Sequence, residues 1–319
     1  MVQSLRAAIL LTRPPQWIKN VFVFAGLVFG SKLRDPHAVL YSLFAFAIFC
    51  MLSSAIYALN DGLDYREDAQ HPAKKNRPVA SGAIAPSSAI AFGAVLAILA
   101  LLAAYQLPKA FFWTALAYLA VNVVYSFWGK QRVLLDVILI SIGFVLRALA
   151  GAEAIEVEVS AWLVICTFTL CLFLGFGKRR CELAVIGDLD KAASHRSTLL
   201  HYTPNLLNQL LATTGGIAII TFLLYTMDPN APARSMVFTT PFVVYAIFRY
   251  AMVIERGVLS GPTDVLIKDR PFLATAIIWA LLTLGLLYGG DRVEEYLPKI
   301  RYPGQPVADV EVPDQAARP

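Results

Sequence analysis

An acidic stretch between Asn60 and Asp68 contains the residues of this chain best suited to chemistry. Asp61, Asp64 and Asp68 are spaced i, i+3 and i+7, so a helix would carry all of these carboxylates on one face. Carboxylates gathered in one place repel one another unless a cation lies among them. Mg²⁺ is the expected cation, because it prefers hard oxygen ligands and often shares them with substrate phosphates. The pattern predicts magnesium ligands at Asn60, Asp61, Asp64 and Asp68, and a solvated helix end with incidental acids is the alternative.

Basic residues follow this acidic stretch within ten positions. They are Lys74, Lys75 and Arg77. A metal ion held by acids, together with lysine and arginine, can bind a phosphate-rich ligand. Lys75 and Arg77 are therefore predicted to bind substrate. Membrane topology is the alternative explanation, because cytoplasmic loops carry such residues in any case.

Other polar residues lie where helices are expected to enter or cross the membrane. Lys19 is predicted to reach a lipid phosphate, with positive-inside bias as the alternative. Tyr125 near the end of the fourth apolar segment and Lys130 in the turn that follows it are further candidates for substrate binding. Arg147 falls at membrane depth, where an ionisable residue usually faces a cavity or a partner. Snorkelling of Arg147, or a pair with Glu153, is the structural alternative.

A second basic stretch begins where the sixth apolar segment ends. Lys178, Arg179 and Arg180 are consecutive, and Lys178 and Glu182 are spaced i, i+4. Three cations at a helix end also suit the helix dipole. The functional interpretation is an anion site for a second phosphate, with Lys178, Arg179, Glu182 and the later Tyr202 as substrate-binding residues.

The composition is that of a polytopic membrane protein. Hydrophobic residues make up 58% of the chain, charged residues make up 15%, and the mean hydropathy is +0.62. A soluble domain carries about 25% charged residues. Apolar segments of about 20 residues can span a bilayer, and the lack of water there favours an all-α helical bundle. We predict nine transmembrane helices, at 18–32, 38–59, 86–106, 110–128, 133–152, 160–177, 206–227, 236–255 and 271–290.

The distribution of lysine and arginine predicts the orientation. Most of the 27 basic residues fall on the side that carries the N-terminus and the two long charged loops. By the positive-inside rule this side is cytoplasmic in a bacterial inner membrane, with the C-terminus outside. We expect one transmembrane domain over 1–301 and a disordered tail over 302–319. The four cysteines imply no disulfide framework. A homo-oligomer is possible, and no nucleic-acid partner is expected.

Four motifs in order along the chain resemble the UbiA superfamily of intramembrane prenyltransferases, over nearly all of residues 10–290. Their details are most similar to the branch that attaches phosphoribosyl groups to polyprenyl phosphates. Each motif alone is weak, but four in sequence order are specific. They are Arg13-Pro-x-Gln-Trp-x-Lys-Asn20, Asn60-Asp-x-x-Asp-x-x-x-Asp68, Lys75-Asn-Arg-Pro78 and Gly177-Lys-Arg-Arg-x-Glu-Leu183.

The second inner loop departs from the pattern of the aromatic prenyltransferases. Those enzymes carry a second acidic run of the Asp-x-x-x-Asp type, whereas this loop begins with cations, and Asp188 and Asp190 are only two apart. The departure suits a phosphoribosyl donor, phosphoribosyl diphosphate (PRPP). Its 5-phosphate needs a basic site, for which Lys178, Arg179 and Arg180 are suited.

The resemblance implies transfer of the 5-phosphoribosyl group from PRPP to a polyprenyl (decaprenyl) phosphate, with release of pyrophosphate, for arabinan cell-wall precursors. It implies Mg²⁺ as cofactor, Asp61, Asp64 and Lys19 as catalytic residues, and the bilayer as the site of reaction. The closest alternative is prenyl transfer from a polyprenyl diphosphate to an aromatic acceptor. A transporter is a remote alternative, because the acids collect at helix ends rather than at the bilayer midplane.

Overall fold

The computed structural model describes residues 2–70, 74–186, 197–228, 234–257 and 261–289. Throughout these ranges the secondary structure is helical, without a β-strand. Eight helices in them are long and apolar enough to cross a membrane. The expected tail over 302–319, together with Asp188 and Asp190, lies outside the described residues. The α-helices are α1 (Val2–Thr12), α2 (Ala25–Phe29), α3 (Pro36–Leu63), α4 (Tyr65–Gln70), α5 (Pro86–Ala104), α6 (Lys109–Phe127), α7 (Leu135–Ala154), α8 (Ala161–Ile186), α9 (Pro204–Met227), α10 (Thr240–Glu255), α11 (Pro262–Lys268) and α12 (Arg270–Tyr288).

Eight of the nine predicted segments form such long helices, and the first does not. Residues Pro14–Phe24 form a 3₁₀ helix, which α2 continues for only five residues. Two prolines open the segment, at positions where a helix leaves the backbone N–H unpaired in any case. The segment packs directly on the backbone of α7, because a Cβ at Gly151 would lie 1.7 Å from the carbonyl oxygen of Val23.

Side-chain caps define the starts of several helices. Asp35 accepts hydrogen bonds from the backbone N–H of His37 at 2.9 Å, at the start of α3. Asp269 does the same for Phe272 at 2.9 Å, at the start of α12. These caps satisfy N–H groups that a helix start otherwise leaves unpaired. Arg249 also binds both oxygens of Asp269, at 3.0 and 2.8 Å, and this pairing holds the pKa of Asp269 below its ordinary value.

Helix α7 lies at the centre of the described bundle. It contacts α6, α8, α3 and the 3₁₀ segment Pro14–Phe24. Around it α3 packs along α5, and α8 packs along α9. Helix α8 is longer than predicted and continues to Ile186. Lys178, Arg179 and Glu182 therefore lie on the last turns of a helix rather than in a loop.

Candidate active site at one end of the bundle

The predicted functional residues meet where α3 and α8 end. The turn between α6 and α7 lies between them, because Lys130 of this turn binds Asp64 after α3. On its other side, Asp136 at the start of α7 binds Arg179 of α8. Both charged stretches of the sequence therefore face the same end of the bundle.

Asp61 is buried and paired with two arginines. It is 1% exposed, and its Oδ1 accepts hydrogen bonds from Arg13 and from Arg77, the latter at 3.3 Å. Its second oxygen, Oδ2, is buried without a hydrogen-bond partner in the structure, and so is Oδ1 of the preceding Asn60. Burying an oxygen without a hydrogen-bond partner costs free energy. These two oxygens are therefore available to a metal ion or to a ligand that donates a hydrogen bond.

Arg77 connects two acids of the motif. Besides Asp61, it donates to Oδ2 of Asp68 at 2.5 Å, and Lys74 lies 3.4 Å from the other oxygen of Asp68. Asp68 is only 2% exposed. Its charge is therefore compensated by protein cations, and it presents little surface to a ligand.

Asp64 is the accessible carboxylate of the motif. Its side chain is 29% exposed, compared with 1% for Asp61 and 3% for Asp68. Lys130 donates to both of its oxygens, at 2.7 and 2.9 Å. Asp64 and Lys130 thus form a partly exposed ion pair that an incoming ligand can contact.

The single shared metal site predicted for Asp61, Asp64 and Asp68 is not formed. Within the residues that the structure describes, no three acidic, histidine or cysteine side chains lie close enough to hold one metal ion. The physical reason is that the carboxylates bind different protein cations. Asp61 and Asp68 share one nitrogen of Arg77, whereas Asp64 binds Lys130. Asp68 also lies beside Lys74.

Arg179 and Glu182 belong to a buried network rather than to an open anion site. Arg179 is 1% exposed, and its Nε donates to Asp136 at 2.8 Å while its Nη1 donates to Glu182. Asp136 also accepts a hydrogen bond from the Tyr202 hydroxyl at 3.0 Å. The guanidinium of Arg179 and the hydroxyl of Tyr202, both predicted to bind substrate, are therefore occupied by protein groups.

The Tyr202 hydroxyl stays protonated in this network. Burial, and then the adjacent Asp136 carboxylate, raise the pKa of Tyr202 well above its ordinary value. The hydroxyl also accepts a hydrogen bond from the backbone N–H of Leu134 at 2.8 Å. Tyr202 thus joins the start of α9 to the α6–α7 turn.

Arg147, also predicted to bind substrate, points into the bundle. Its donors bind Asn20 at 2.8 Å, the Tyr118 hydroxyl at 2.6 Å and the Gly143 carbonyl at 2.9 Å. Neither snorkelling nor a pair with Glu153 is observed, and Arg147 is 7% exposed. No carboxylate forms an ion pair with it among the described residues, so its positive charge is not neutralised there.

Other predicted cations remain available to a ligand. Lys19 is half-buried and makes no hydrogen bond or ion pair with any residue in the described part of the chain. It lies close enough to Arg147 and Lys178 for their charges to repel. Lys178 is 48% exposed, and Glu182 is 3.8 Å away. Tyr125 lies within electrostatic reach of Lys178.

Sequence reasoning missed two residues of this site. Arg13 was noted only within a motif, yet it pairs with Asp61 and lies 4.9 Å over the ring of Tyr57. Asp136 was not among the predicted site residues, yet it is fully buried between Arg179 and Tyr202. The one available signal was that a buried acid needs a cation, which does not say which cation.

Comparison with known proteins agrees with the helical architecture. The chain is similar to decaprenyl-phosphate phosphoribosyltransferase of Corynebacterium glutamicum, with 31% identity over 86% of this chain and 85% of that protein. The enzyme of the same name from Mycolicibacterium smegmatis is 30% identical over 84% of this chain and 88% of its own length. The fold matches a UbiA homologue from Archaeoglobus fulgidus with a TM-score of 0.68 at 20% identity, covering 89% of this chain and 98% of that one.

The sequence also matches the model of the UbiA prenyltransferase family. The match extends over residues 20–256, which include the acidic motif, the α6–α7 turn and the basic end of α8. With a relative more than 30% identical over most of both chains, the assignment does not depend on fold similarity alone. This protein is a polytopic, all-helical membrane protein and a member of the UbiA prenyltransferase family.

Proposed function

We propose that this protein transfers the 5-phosphoribosyl group from PRPP to a polyprenyl phosphate, of which decaprenyl phosphate is one, and releases pyrophosphate. The relatives named decaprenyl-phosphate phosphoribosyltransferase support this activity, since they match 84–86% of the chain. The product would be a lipid-linked pentose phosphate of the kind that supplies arabinan in cell walls. The active site faces the cytoplasm, because most basic loops lie at the end of the bundle where α3 and α8 end.

The observation that carries the proposal is an excess of cations at one end of the bundle. The carboxylates there already have protein partners, while Lys19 has none among the described residues. Lys75 is exposed, and Lys178 has only a distant contact with Glu182. PRPP and a lipid phosphate together bring phosphates at three positions. A prenyl diphosphate with an aromatic acceptor brings phosphates at only one.

A divalent cation fits the oxygens that the protein leaves unsatisfied. Mg²⁺ is usually bound by one or two carboxylates, with substrate phosphates and water as the other ligands. Asp61 Oδ2 and Asn60 Oδ1 are buried without partners, and Asp64 is partly exposed. These residues would hold Mg²⁺, which supplies Lewis-acid stabilisation of the diphosphate leaving group. A UbiA homologue has been solved with geranyl diphosphate (GPP) and Mg²⁺, consistent with this choice.

The residues of the chain then have distinct roles. Asp61 and Asp64 would hold the Mg²⁺ that binds the diphosphate of PRPP, and Arg77 and Lys130 stabilise the negative charge that develops as it leaves. Lys19 and Lys178 hold the remaining phosphate groups beside the reacting carbon. The bond between C1 and the pyrophosphate oxygen breaks with its electron pair on the pyrophosphate. A phosphate oxygen of the lipid forms the new bond to C1 from the opposite face.

This reaction needs no strong general base. The attacking lipid phosphate is already an anion, so no proton must leave the nucleophile in the step that forms the bond. The described part of the site accordingly presents lysines and arginines rather than a paired base and nucleophile. Catalysis would come from positioning and from electrostatic stabilisation.

The test is turnover by purified protein with defined substrates. Labelled PRPP with decaprenyl phosphate and Mg²⁺ should give a labelled lipid and pyrophosphate. Geranyl or polyprenyl diphosphate with an aromatic acid, in the same detergent, should give no product. Turnover of the second pair with none of the first would establish the prenyltransferase alternative and overturn this proposal.

Replacing Lys19 with methionine should weaken binding of the lipid phosphate. A charge-assisted hydrogen bond contributes about 1.5–3 kcal/mol, so the KM for polyprenyl phosphate should rise about tenfold or more. The KM for PRPP should change much less. Steady-state kinetics with each substrate varied in turn measures the two effects separately.

Lys32→Met is the matched control for the Lys19 variant. Lys32 is exposed at the opposite end of the bundle, just before α3, so its loss removes the same charge without touching the site. Its kinetics should equal those of the wild type. An unchanged KM for the lipid in Lys19→Met would remove Lys19 from the acceptor site.

A further inference from the structure

The backbone at Leu134, between Lys130 and α7, is strained. Its φ is 69° and its ψ is −47°, at the residue that caps the start of α7. Residues with a side chain rarely adopt positive φ, and this combination lies near the rare γ-turn conformation. Packing of the side chain does not explain it, because Leu134 is 40% exposed. Such outliers persist only where surrounding groups hold them, and they cluster at functional sites.

Among the described residues, one hydrogen bond from outside the turn holds the backbone at Leu134. The N–H of Leu134 donates to the Tyr202 hydroxyl at 2.8 Å. That hydroxyl donates in turn to Asp136 at 3.0 Å, and Arg179 binds the other oxygen of Asp136. Tyr202 is 3% exposed, Asp136 is 0% and Arg179 is 1%. The hydroxyl is therefore held from both sides in a buried network, which gives it a fixed position.

The strained residue lies on the backbone that connects Lys130 to α7. Lys130 belongs to the 3₁₀ turn Gly129–Gln131, four residues before Leu134, and it holds both oxygens of Asp64. The turn packs closely on α7, since a Cβ at Gly129 would lie 2.2 Å from Leu139. A change of φ at Leu134 would rotate this turn relative to α7 and move Lys130 away from Asp64.

We infer that Tyr202 is a positioning residue for Lys130: its hydroxyl keeps Leu134 in the conformation that places Lys130 on Asp64. The residue thereby links the segment before α9 to the acidic motif after α3. Tyr202 does not touch substrate in this arrangement, and Asp136 and Arg179 act through it. Only the turnover measurements below rest on the proposed function.

Tyr202→Phe is the first test, because it removes the hydroxyl and keeps the ring in the core. The loss of one buried hydrogen bond that holds a catalytic lysine should lower kcat about five- to tenfold. The effect should vanish in a Lys130→Met background, because the two residues act on the same contact. A hydroxyl that merely stabilised the fold would instead lower activity by the same factor in both backgrounds.

Leu134→Gly provides a rescue that only the positioning role predicts. Glycine adopts positive φ without strain, so Tyr202→Phe with Leu134→Gly should regain most of the lost kcat. Tyr250→Phe is the matched control, since it also removes a buried tyrosine hydroxyl, one that donates to the Leu174 carbonyl at 3.1 Å. Its kcat should equal that of the wild type.

Trypsin cleavage after Lys130 and Arg132 gives a readout that does not depend on activity. Tyr202→Phe should be cleaved faster there than the wild type or Tyr250→Phe, and Leu134→Gly should reverse the increase. If the wild type does not turn over PRPP, the proposed function fails and the cleavage pattern alone decides the inference. The inference would be overturned if trypsin cleaved Tyr202→Phe at the wild-type rate. It would also be overturned if the reductions in kcat caused by Tyr202→Phe and by Lys130→Met multiplied in the double variant.

Discussion

The Asp64→Asn variant should turn over PRPP about 100-fold or more slowly than the wild type while it remains folded. Asp64 is the one carboxylate of the motif with a partly exposed side chain, and Lys130 binds both of its oxygens. Asparagine keeps the shape but loses the charge that Mg²⁺ and Lys130 require. The residue caps the end of α3 through its backbone, which the substitution leaves intact. Turnover of labelled PRPP across a Mg²⁺ titration measures the loss.

The Glu67→Gln variant controls for the Asp64 substitution. Glu67 is exposed three residues further along the chain, so its amide variant removes an equal charge from the same segment. Its turnover should stay within about twofold of the wild type, as for most surface substitutions. Melting curves of both variants in detergent should overlay that of the wild type. Near-normal, Mg²⁺-dependent turnover by a well-folded Asp64→Asn protein would remove Asp64 from the site.

The largest effect on stability is expected at Asp136. Asp136→Asn leaves Arg179 in a site where it is 1% exposed, with Glu182 as its remaining anionic partner in the described residues. Removing one member of a buried ion pair typically destabilises a protein by about 3–5 kcal/mol. The reason is that the remaining charge stays buried while part of its compensation is lost. Reversible unfolding in mixed detergent micelles should report a loss in this range.

An exposed pair supplies the comparison for Asp136. Lys268 lies 3.1 Å from Asp264 on α11, with 60% of the lysine side chain exposed. Asp264→Asn should change stability by less than about 1 kcal/mol, because water and salt screen exposed pairs. Replacing both Asp136 and Arg179 with leucine and methionine should recover much of the stability lost in Asp136→Asn. A loss at Asp136 no larger than that at Asp264 would contradict the buried-pair account.

The two variants also separate chemistry from architecture at one site. Asp64 is partly exposed and pairs with Lys130, whereas Asp136 is fully buried and binds both Arg179 and Tyr202. Asp64→Asn should change turnover with little change in stability. Asp136→Asn should mainly lower stability, and it should change turnover only through the position of the α6–α7 turn.

The helical bundle could be predicted well from the sequence. Long apolar segments must close their backbone hydrogen bonds within the segment when no water is present, so hydropathy alone locates them. Eight such helices are found where they were expected. The prediction for the first segment was wrong, because residues Pro14–Phe24 form a 3₁₀ helix that packs on α7, a contact with no signature in hydropathy.

The site could be predicted only in part. Sequence spacing identified the acidic motif and the basic end of α8, and both lie at the same end of the bundle. Spacing also predicted that Asp61, Asp64 and Asp68 would share one metal ion, whereas the structure pairs Asp61 and Asp68 with Arg77 and pairs Asp64 with Lys130. Nothing in the spacing could reveal that Arg179 would be occupied by Asp136, 43 residues earlier in the chain.

By itself the sequence determined the residue types, the membrane-spanning elements and the end of the bundle where charges collect. These follow from local physics, because hydropathy, helix caps and positive-inside bias act over neighbouring residues. Only the tertiary structure decided which cations are already paired and which are left for a ligand. Arg179 and Lys19 are both basic residues in motifs, yet one is enclosed by carboxylates and the other has no such neighbour among the described residues. That difference arises from contacts between distant helices, which the order of residues along the chain does not show.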